Sequence, residues 1–252
     1  MTDFYQIMES KGYYSSSERL RFYLDSYLFD GVELDGKSVL DIGGGNGLFG
    51  FHAMVRGAQR VVVMEPEFDG SSANMIRDFH AIKTLMGEPE NIEHTYDLLE
   101  DYDRENNTFD IVLIHNAINH IDEQACIDLQ DSEAAQATYH RYFEYLEQVC
   151  KPGATLIVCD CARRNLFGDL QLPNPFARSI EWEKHQAPQL WSKMLQQHGF
   201  SQRSIRWTSF NALGAIGKLL CRNPLIAYLT HSHFRLEMTR TGHAQDRIDQ
   251  GN

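Results

Sequence analysis

A glycine-rich stretch directly after an acidic residue is the part of this sequence best suited to chemistry. Residues 39–50 read Val-Leu-Asp-Ile-Gly-Gly-Gly-Asn-Gly-Leu-Phe-Gly. Glycine has no Cβ, so the backbone can turn sharply and a ligand can approach it closely. A helix that begins near Leu48 would also offer backbone N–H groups without a partner in the helix. The spacing Gly45-x-Gly47-x-x-Gly50 alone is weak, because it also fits a dinucleotide fingerprint, and a glycine-rich surface turn stays open as the alternative.

A second acidic residue strengthens the interpretation as a ligand site. The next apolar run, Arg60–Met64, contains three consecutive valines and ends at Glu65 and Pro66. In a strand–helix–strand unit, an acid at the end of the second strand can accept hydrogen bonds from both ribose hydroxyls of a nucleotide on the glycine turn. The glycine turn and Glu65 together therefore predict a ligand that contains a nucleoside.

Alternating predicted strands and helices bring further polar residues to the same edge of a sheet. Strands are predicted over Ser38–Ile42, Arg60–Met64, Asn91–Thr95, Phe109–Ile114 and Thr155–Asp160, with helices over 48–57, 72–86 and 135–150. This alternation predicts a doubly wound, parallel α/β sheet that binds ligands beyond the carboxyl ends of its strands. Five polar residues fall at those ends, namely Asp41, Glu65, Asp97, His115 and Asp160.

The residues before the first core strand predict an N-terminal helical cap over 1–36. Ser15 and Glu18 have the spacing of a capping box, and the apolar residues from Leu20 to Leu28 recur at helical spacing. Tyr14, just before this helix, either covers a bound ligand or packs on the core.

Composition argues against several classes of function. The chain has 252 residues and a formal net charge of −12, which argues against a general nucleic-acid binder because such proteins need cationic contacts to phosphates. No apolar run approaches the ~20 residues of a membrane span, and the first residues lack an apolar signal core.

The five cysteines lack the spacing of a four-ligand zinc site and suggest reduced thiols, so a cytoplasmic protein is expected. The basic residues between Arg203 and Arg240 are expected on a solvated face.

Together these motifs resemble class I S-adenosylmethionine-dependent methyltransferases. The resemblance covers residues 38–160 and rests on Asp-x-Gly-x-Gly-x-Gly at 41–47, Glu65, the Asp97–Leu98 pair, the strand that begins at Phe109 and the Lys-Pro-Gly turn at 151–153. It implies a Rossmann-like, mostly parallel seven-stranded sheet that ends in an antiparallel hairpin, for which 202–209 and 233–240 are the candidates. It also implies a cofactor-binding domain over 37–240, with acceptor-side insertions at 161–186 and 211–230. The polar residues 241–252 predict a flexible tail. Residues 211–230 would form either an amphipathic lid or a helix packed on the core.

The resemblance implies which residues bind S-adenosylmethionine. They are Asp41, Gly43, Gly44, Gly45, Asn46, Gly47, Glu65, Pro66, Asp97, Leu98 and His115. The glycine turn would pass the methionine moiety and Asp41 would orient its ammonium. Glu65 would hold the ribose hydroxyls and Asp97 would accept from the adenine amino group, while the backbone of His115 would lie beneath the sulfonium.

Candidate residues for the acceptor side follow the fourth and fifth strands. Methyl transfer is an in-line displacement, and a hydroxyl acceptor must also lose its proton to a nearby base. His120, in the loop after the fourth strand, and His185, in the insertion 161–186, are the candidate bases, and a purely structural role for each stays open. The expected acceptor-binding residues are Tyr14, Asn116, Asp160, Trp182 and Trp191.

The sequence therefore predicts a methyltransferase that acts on a small molecule, such as a secondary metabolite or glycan precursor, with an oxygen acceptor favoured. Residues 115–118 read His-Asn-Ala-Ile, where enzymes that methylate amide or nucleobase nitrogens carry Asp/Asn-Pro-Pro-aromatic, so nucleic acid is not expected as a partner. Of the fourth- and fifth-strand ends only Asp160 is acidic, so no metal is expected. The alternatives are an N-methyltransferase for a small amine, an NAD-dependent oxidoreductase and a protein that binds the cofactor without turnover.

Overall fold

The fold is described from a computed structural model, which covers residues 3–66, 72–208 and 222–242. The strands are β1 (Ser38–Ile42), β2 (Arg60–Met64), β3 (Ile92–Thr95), β4 (Phe109–His115), β5 (Cys150–Cys161), β6 (Phe200–Trp207) and β7 (His233–Arg240). The helices are α1 (Phe4–Ser10), α2 (Ser17–Tyr23), α3 (Leu48–Val55), α4 (Ser72–Leu85), α5 (Glu123–Asp128), α6 (Glu133–Val149), α7 (Leu166–Asp169), α8 (Pro188–Gln196) and α9 (Pro224–Leu229).

The seven strands form one sheet in the order β3-β2-β1-β4-β5-β7-β6. Strands β1 to β5 are parallel, and β7 is antiparallel to both β5 and β6. The predicted mostly parallel sheet with a final antiparallel pair is confirmed. Strand β7 has the predicted bounds, whereas β6 begins two residues before the predicted segment 202–209.

Helices cover both faces of the sheet, and this explains why the central strands are apolar on both sides. Alternate residues of each strand enter different cores. Leu40 of β1 packs with α5, α6 and α8, where Phe143 is completely buried. Val39 packs on the opposite face with α1 to α4, where Phe51 and Phe79 are buried.

The N-terminal residues form a helical cap on the second of these faces. Helix α2 continues into a π-helical turn, Leu24–Leu28, which buries Tyr27 completely. The N-cap of α2 is Ser16, whose side chain accepts from the backbone N–H of Arg19. The predicted capping box therefore lies one residue too early, and helix α1 had no counterpart among the predicted elements.

Three arginines from the C-terminal part of the chain bind the end of this cap. Arg206 Nη1 lies 2.7 Å from Asp30 Oδ2, Arg222 Nη1 donates to Ser26 O at 2.7 Å, and Arg235 Nε donates to Leu28 O at 2.7 Å. Cations are favourable beside the carbonyl end of a helix. The expected solvated face is therefore wrong for Arg235, which is fully buried.

Part of the predicted insertions and tail lies outside the described residues. Of the segment 211–230, residues 222–230 are described and contain α9, while the proposed amphipathic face at 215–220 is not. The tail is described as far as Gly242. Among the described helices, none is long and apolar enough to cross a membrane.

Candidate active site

Two cavities lie side by side at the carboxyl edge of the parallel strands. The first, of about 730 Å³, is lined by the glycine turn, the ends of β2 and β3 and the loop after β4. The second, of about 660 Å³, is lined by the N-terminal cap, the ends of β4, β5 and β7 and residues 176–180. Asn116 lines both cavities. A ligand in one cavity can therefore approach a ligand in the other beside this residue.

The glycine turn has a backbone that other residues could not adopt without strain. Gly43 and Gly45, which line the first cavity, have φ angles of 67° and 54°, in the left-handed region that disfavours a Cβ. A Cβ on Gly43 would also collide with the Cβ of Ala117. The turn therefore passes close to the loop after β4 and presents bare backbone to the first cavity.

Two carboxylates lie along the first cavity beyond the glycine turn. Glu65 Oε2 accepts a hydrogen bond from the backbone N–H of Gly45 at 2.9 Å. Asp97 Oδ2 accepts from the hydroxyl of Thr95 at 2.6 Å. Both side chains line the cavity, so their remaining lone pairs can accept from hydroxyl or amino groups of a bound ligand.

Asp41 lies beneath the glycine turn rather than in either cavity. Its Oδ2 accepts from the backbone N–H of Gly50 at 3.2 Å, which joins the turn to α3. Its Oδ1 is buried and has no hydrogen-bond partner in the described part of the chain. Burial, with a smaller contribution from Glu65, raises the pKa of Asp41 to about 7. Asp41 is therefore placed to shape the turn.

The second cavity is lined by aromatic rings and neutral histidines. His115 Nε2 lies 2.7 Å from the hydroxyl of Tyr23, and its ring centroid lies 4.4 Å from that of Phe49. His233 Nε2 lies 3.3 Å from Asn116 Oδ1. Burial lowers the pKa of His115 to about 4 and that of His233 well below its usual value, so both rings are uncharged at neutral pH.

Asn116 adopts an unusual backbone conformation where the cavities meet. Its φ is 52°, a left-handed angle that asparagine tolerates better than most residues. Its backbone N–H donates to Cys159 O at 2.8 Å, which continues the pairing of β4 with β5. The end of the sheet therefore fixes Asn116, and strain at such a position is typical of functional sites.

Residues 17–208 match the family model described as a methyltransferase domain. The chain belongs to this methyltransferase family. The structure is also similar to an S-adenosylmethionine-dependent methyltransferase from Aquifex aeolicus, at 15% identity and a TM-score of 0.60, with 95% of this chain and 100% of the other covered. A second such enzyme, from Mesorhizobium loti, gives 16% identity and a TM-score of 0.55, with 89% and 97% covered. At these identities the structural likeness shows the fold alone, and no curated protein matches the sequence.

S-adenosylmethionine is the methyl donor that this methyltransferase family implies. The first cavity fits this molecule, because it combines bare glycine backbone with the carboxylates of Glu65 and Asp97. The family decides against the alternative of an NAD-dependent oxidoreductase. In the described part of the chain, no group of three or more His, Cys, Asp or Glu side chains could hold a metal ion.

The two predicted candidate bases have different surroundings in the methyltransferase. His120 lines the first cavity, but its side chain is 60% exposed and its Nδ1 lies 2.8 Å from Glu123 Oε1. His185 Nδ1 lies 3.0 Å and 3.1 Å from the two oxygens of Asp160, whose side chain is fully buried. A carboxylate can only accept, so the hydrogen on His185 is assigned to Nδ1 and its Nε2 keeps a lone pair. His185 is not among the residues that line either cavity.

The predicted tryptophan wall is not present in either cavity. Trp191 is fully buried in the core, with its ring centroid 5.0 Å from that of Tyr139. Amphipathic helix α8 turns this residue toward the sheet together with Leu195. Trp182 packs against Gly168, where an added Cβ would lie 2.7 Å from its Cδ1. The expectation that the two residues line the acceptor pocket is therefore wrong for this structure.

Of the other predicted acceptor residues, Tyr14 and Asn116 line the second cavity, whereas Asp160 lies behind His185. The remaining predicted cofactor residues Pro66 and Leu98 line the first cavity, whereas Gly44, Asn46 and Gly47 belong to the turn without lining it.

Several residues of the second cavity were not predicted from the sequence. They are Arg19, Tyr23, Phe49, Phe176, Ile180 and His233. Phe49 lies within the glycine stretch, and Tyr23 belongs to the apolar face of the predicted cap helix. Neither position carried a signal that separated a pocket residue from a core residue.

Proposed function

We propose that this methyltransferase transfers the methyl group to an oxygen atom of a small molecule bound in the second cavity. The observation that carries the proposal is the junction at Asn116, where a cavity suited to S-adenosylmethionine meets a second, largely aromatic cavity. Pockets for small organic ligands are typically apolar with a few polar groups. A methyl group directed along this junction would face the acceptor in line.

In this proposal the residues of the first cavity hold the cofactor. The carboxylate of Glu65 accepts from the ribose hydroxyls, and Asp97 accepts from the adenine amino group, with Leu98 beside the ring. The glycine turn, including Gly43 and Gly45, lies along the methionine moiety. When bound, S-adenosylmethionine supplies an electrophilic methyl group on a sulfonium, so positioning by these residues provides much of the rate.

A histidine is proposed to take the proton of the acceptor hydroxyl. His185 is favoured over His120, because Asp160 fixes its ring and leaves Nε2 as the basic nitrogen, as in other carboxylate–histidine pairs. His185 does not line the second cavity, but it contributes to the lowered pKa of His233, which does. The proton is therefore proposed to reach Nε2 of His185 through a bridging water. His120 instead lies exposed at the rim of the first cavity, with Glu123 as its partner.

The charge of the second cavity supports oxygen over an amine nitrogen. No carboxylate occurs among its described lining residues, although the chain carries a net charge of −12. A small amine would enter as an ammonium ion, and a buried charge without a partner is costly.

We further propose a cytoplasmic enzyme that acts on a secondary metabolite or glycan precursor and does not act on nucleic acid.

The test is methyl transfer from radiolabelled S-adenosylmethionine to two matched panels, one of small alcohols and phenols and one of the corresponding amines. The proposal expects label in products of the hydroxyl panel. Label only in the amine panel would support the N-methyltransferase alternative and contradict the oxygen assignment.

A further inference from the structure

Among the described residues that line the second cavity, one side chain is fully charged, and it indicates the charge of the acceptor. We propose that the acceptor carries an oxyanion, such as a carboxylate, sulfate or phosphate, which Arg19 binds at the mouth of the second cavity. This inference rests on the proposed function, because it names the class of molecule that receives the methyl group.

Arg19 stands alone in charge among the described residues that line this cavity. The other lining residues are aromatic, aliphatic, hydroxyl, amide, thiol or histidine side chains. Burial lowers the pKa of His115 to about 4. Burial, together with the neighbouring histidines, lowers the pKa of His233 well below its usual value, and burial raises the pKa of the Tyr23 hydroxyl well above 10. At neutral pH the cavity is therefore positive within an acidic protein.

The guanidinium of Arg19 has no acidic partner among the described residues. The next arginine on the same helix, Arg21, pairs with Asp3 at 3.3 Å, and Arg206 pairs with Asp30 at 2.7 Å. Arg19 forms no salt bridge with a described residue, and it is exposed at the second cavity. Its planar fork of donors matches the geometry of an oxyanion.

The position of Arg19 on α2 orients the ligand. Arg19 and Tyr23 are four residues apart on one helix, so their side chains lie on the same face, one turn apart. Tyr23 reaches His115 at the deeper end of the cavity, and Asn116 follows His115 at the junction. An acceptor with its oxyanion at Arg19 would therefore extend inward and present its hydroxyl near Asn116.

Apolar side chains fill the space between these two ends. Phe49, Phe176, Ile180 and Leu20 line the walls of the second cavity. They fit an aromatic or aliphatic body between the oxyanion and the reacting hydroxyl. An ammonium group would instead find no carboxylate in the described lining and would be repelled by Arg19.

The test uses three probes that share a benzene ring and differ in charge: benzoate, benzyl alcohol and benzylammonium. Dissociation constants are measured by ligand-observed nuclear magnetic resonance on the full-length protein saturated with S-adenosylhomocysteine. We expect benzoate to bind most tightly and benzylammonium most weakly. We expect Arg19→Gln to weaken benzoate binding about fivefold, the size of a partly exposed ion pair, and to leave benzyl alcohol binding unchanged.

The matched control is Arg141→Gln, which removes the same charge from an exposed position on α6 that lines neither cavity. Equal losses in the two variants would mean that only net charge matters and would overturn the inference. Failure of benzoate to bind, or binding of benzylammonium as tight as that of benzoate, would overturn it too. Absence of S-adenosylhomocysteine binding in the same samples would instead count against the proposed function.

Discussion

The Nδ1 atom of His185 lies 3.0 Å from Oδ1 of Asp160. A histidine of the insertion 161–186 is therefore held by a carboxylate at the carboxyl end of β5. The carboxylate is fully buried, and the histidine side chain is 13% exposed. Such a pair holds one imidazole tautomer and leaves Nε2 free to accept a proton. Both residues were predicted from the sequence, but in separate roles: His185 as a candidate base and Asp160 as an acceptor-binding residue.

This pair predicts a specific loss of proton transfer. We expect His185→Gln to reduce methyl transfer to a hydroxyl acceptor by about 10²- to 10⁴-fold, the usual contribution of a general base, with unchanged affinity for S-adenosylmethionine. The measurements are turnover across pH and calorimetric titration with the cofactor. His120→Gln is the matched control, and a larger loss in that variant would assign the base to His120 instead.

A second prediction concerns the close approach of the glycine turn to the loop after β4. We expect Gly43→Ala to destabilise the protein by about 1–3 kcal/mol, since it adds left-handed strain and a collision with the Cβ of Ala117. Gly12→Ala measures the left-handed strain alone, because Gly12 has a similar φ of 74° and no atom within 4 Å of an added Cβ. Urea unfolding measures both variants. Equal effects would show that the contact with Ala117 contributes nothing.

The third prediction compares two arginines that share one carboxylate. Arg235 Nη1 lies 2.6 Å from Glu237 Oε2 inside the protein, whereas Arg203, with a 61% exposed side chain, lies 3.1 Å from Oε1 of the same residue. Removing one partner of a buried pair costs about 3–5 kcal/mol, while an exposed pair contributes about 0–1 kcal/mol. We therefore expect Arg235→Met to be far more destabilising than Arg203→Met in thermal and urea unfolding.

The Arg235→Met substitution should also destabilise the N-terminal cap, because Arg235 donates a hydrogen bond to Leu28 O. Hydrogen exchange of the amides in α1 and α2 reports on this. Unchanged protection of the cap in a destabilised Arg235→Met variant would contradict the role of this residue as its anchor.

The fourth prediction follows from the buried Asp41. Its pKa is raised to about 7 in the folded protein, above the value of about 3.9 in an unfolded chain. Between these values the folded state binds more protons than the unfolded state, so stability falls as pH rises. We expect wild type to lose stability relative to Asp41→Asn between about pH 4 and pH 7. Urea unfolding at several pH values measures this, with the exposed Asp101→Asn as control, and a flat difference would contradict it.

The sheet was predictable because each central strand is a short apolar run and the helices between them cover both faces. The carboxyl ends of β1 to β5 could be located to within one residue, whereas β5 begins at Cys150, five residues before the predicted Thr155. The edge at which Glu65, Asp97 and Asn116 meet was predictable as well. Local sequence carries these features, since glycine-rich turns and strand-end acids have direct conformational causes.

The walls of the second cavity were not predictable, because local sequence does not determine which apolar residues of a helix face a cavity. Tyr23 and Trp191 each occupy an apolar position of a helix, yet one lines the cavity and the other fills the core. Only the tertiary arrangement decides between these outcomes. In the same way, the basic residues after Arg203 appeared suited to solvent, whereas Arg235 lies inside because Leu28 and Glu237 offer it partners.

The most direct test of the central claim is calorimetric titration of S-adenosylmethionine into wild type, Glu65→Ala and the surface control Glu144→Ala. We expect binding to wild type and to the control, and about 10- to 100-fold weaker binding to Glu65→Ala, the effect of losing hydrogen bonds to a charged group. Equal affinities for all three proteins would contradict the assignment of the first cavity as the cofactor site.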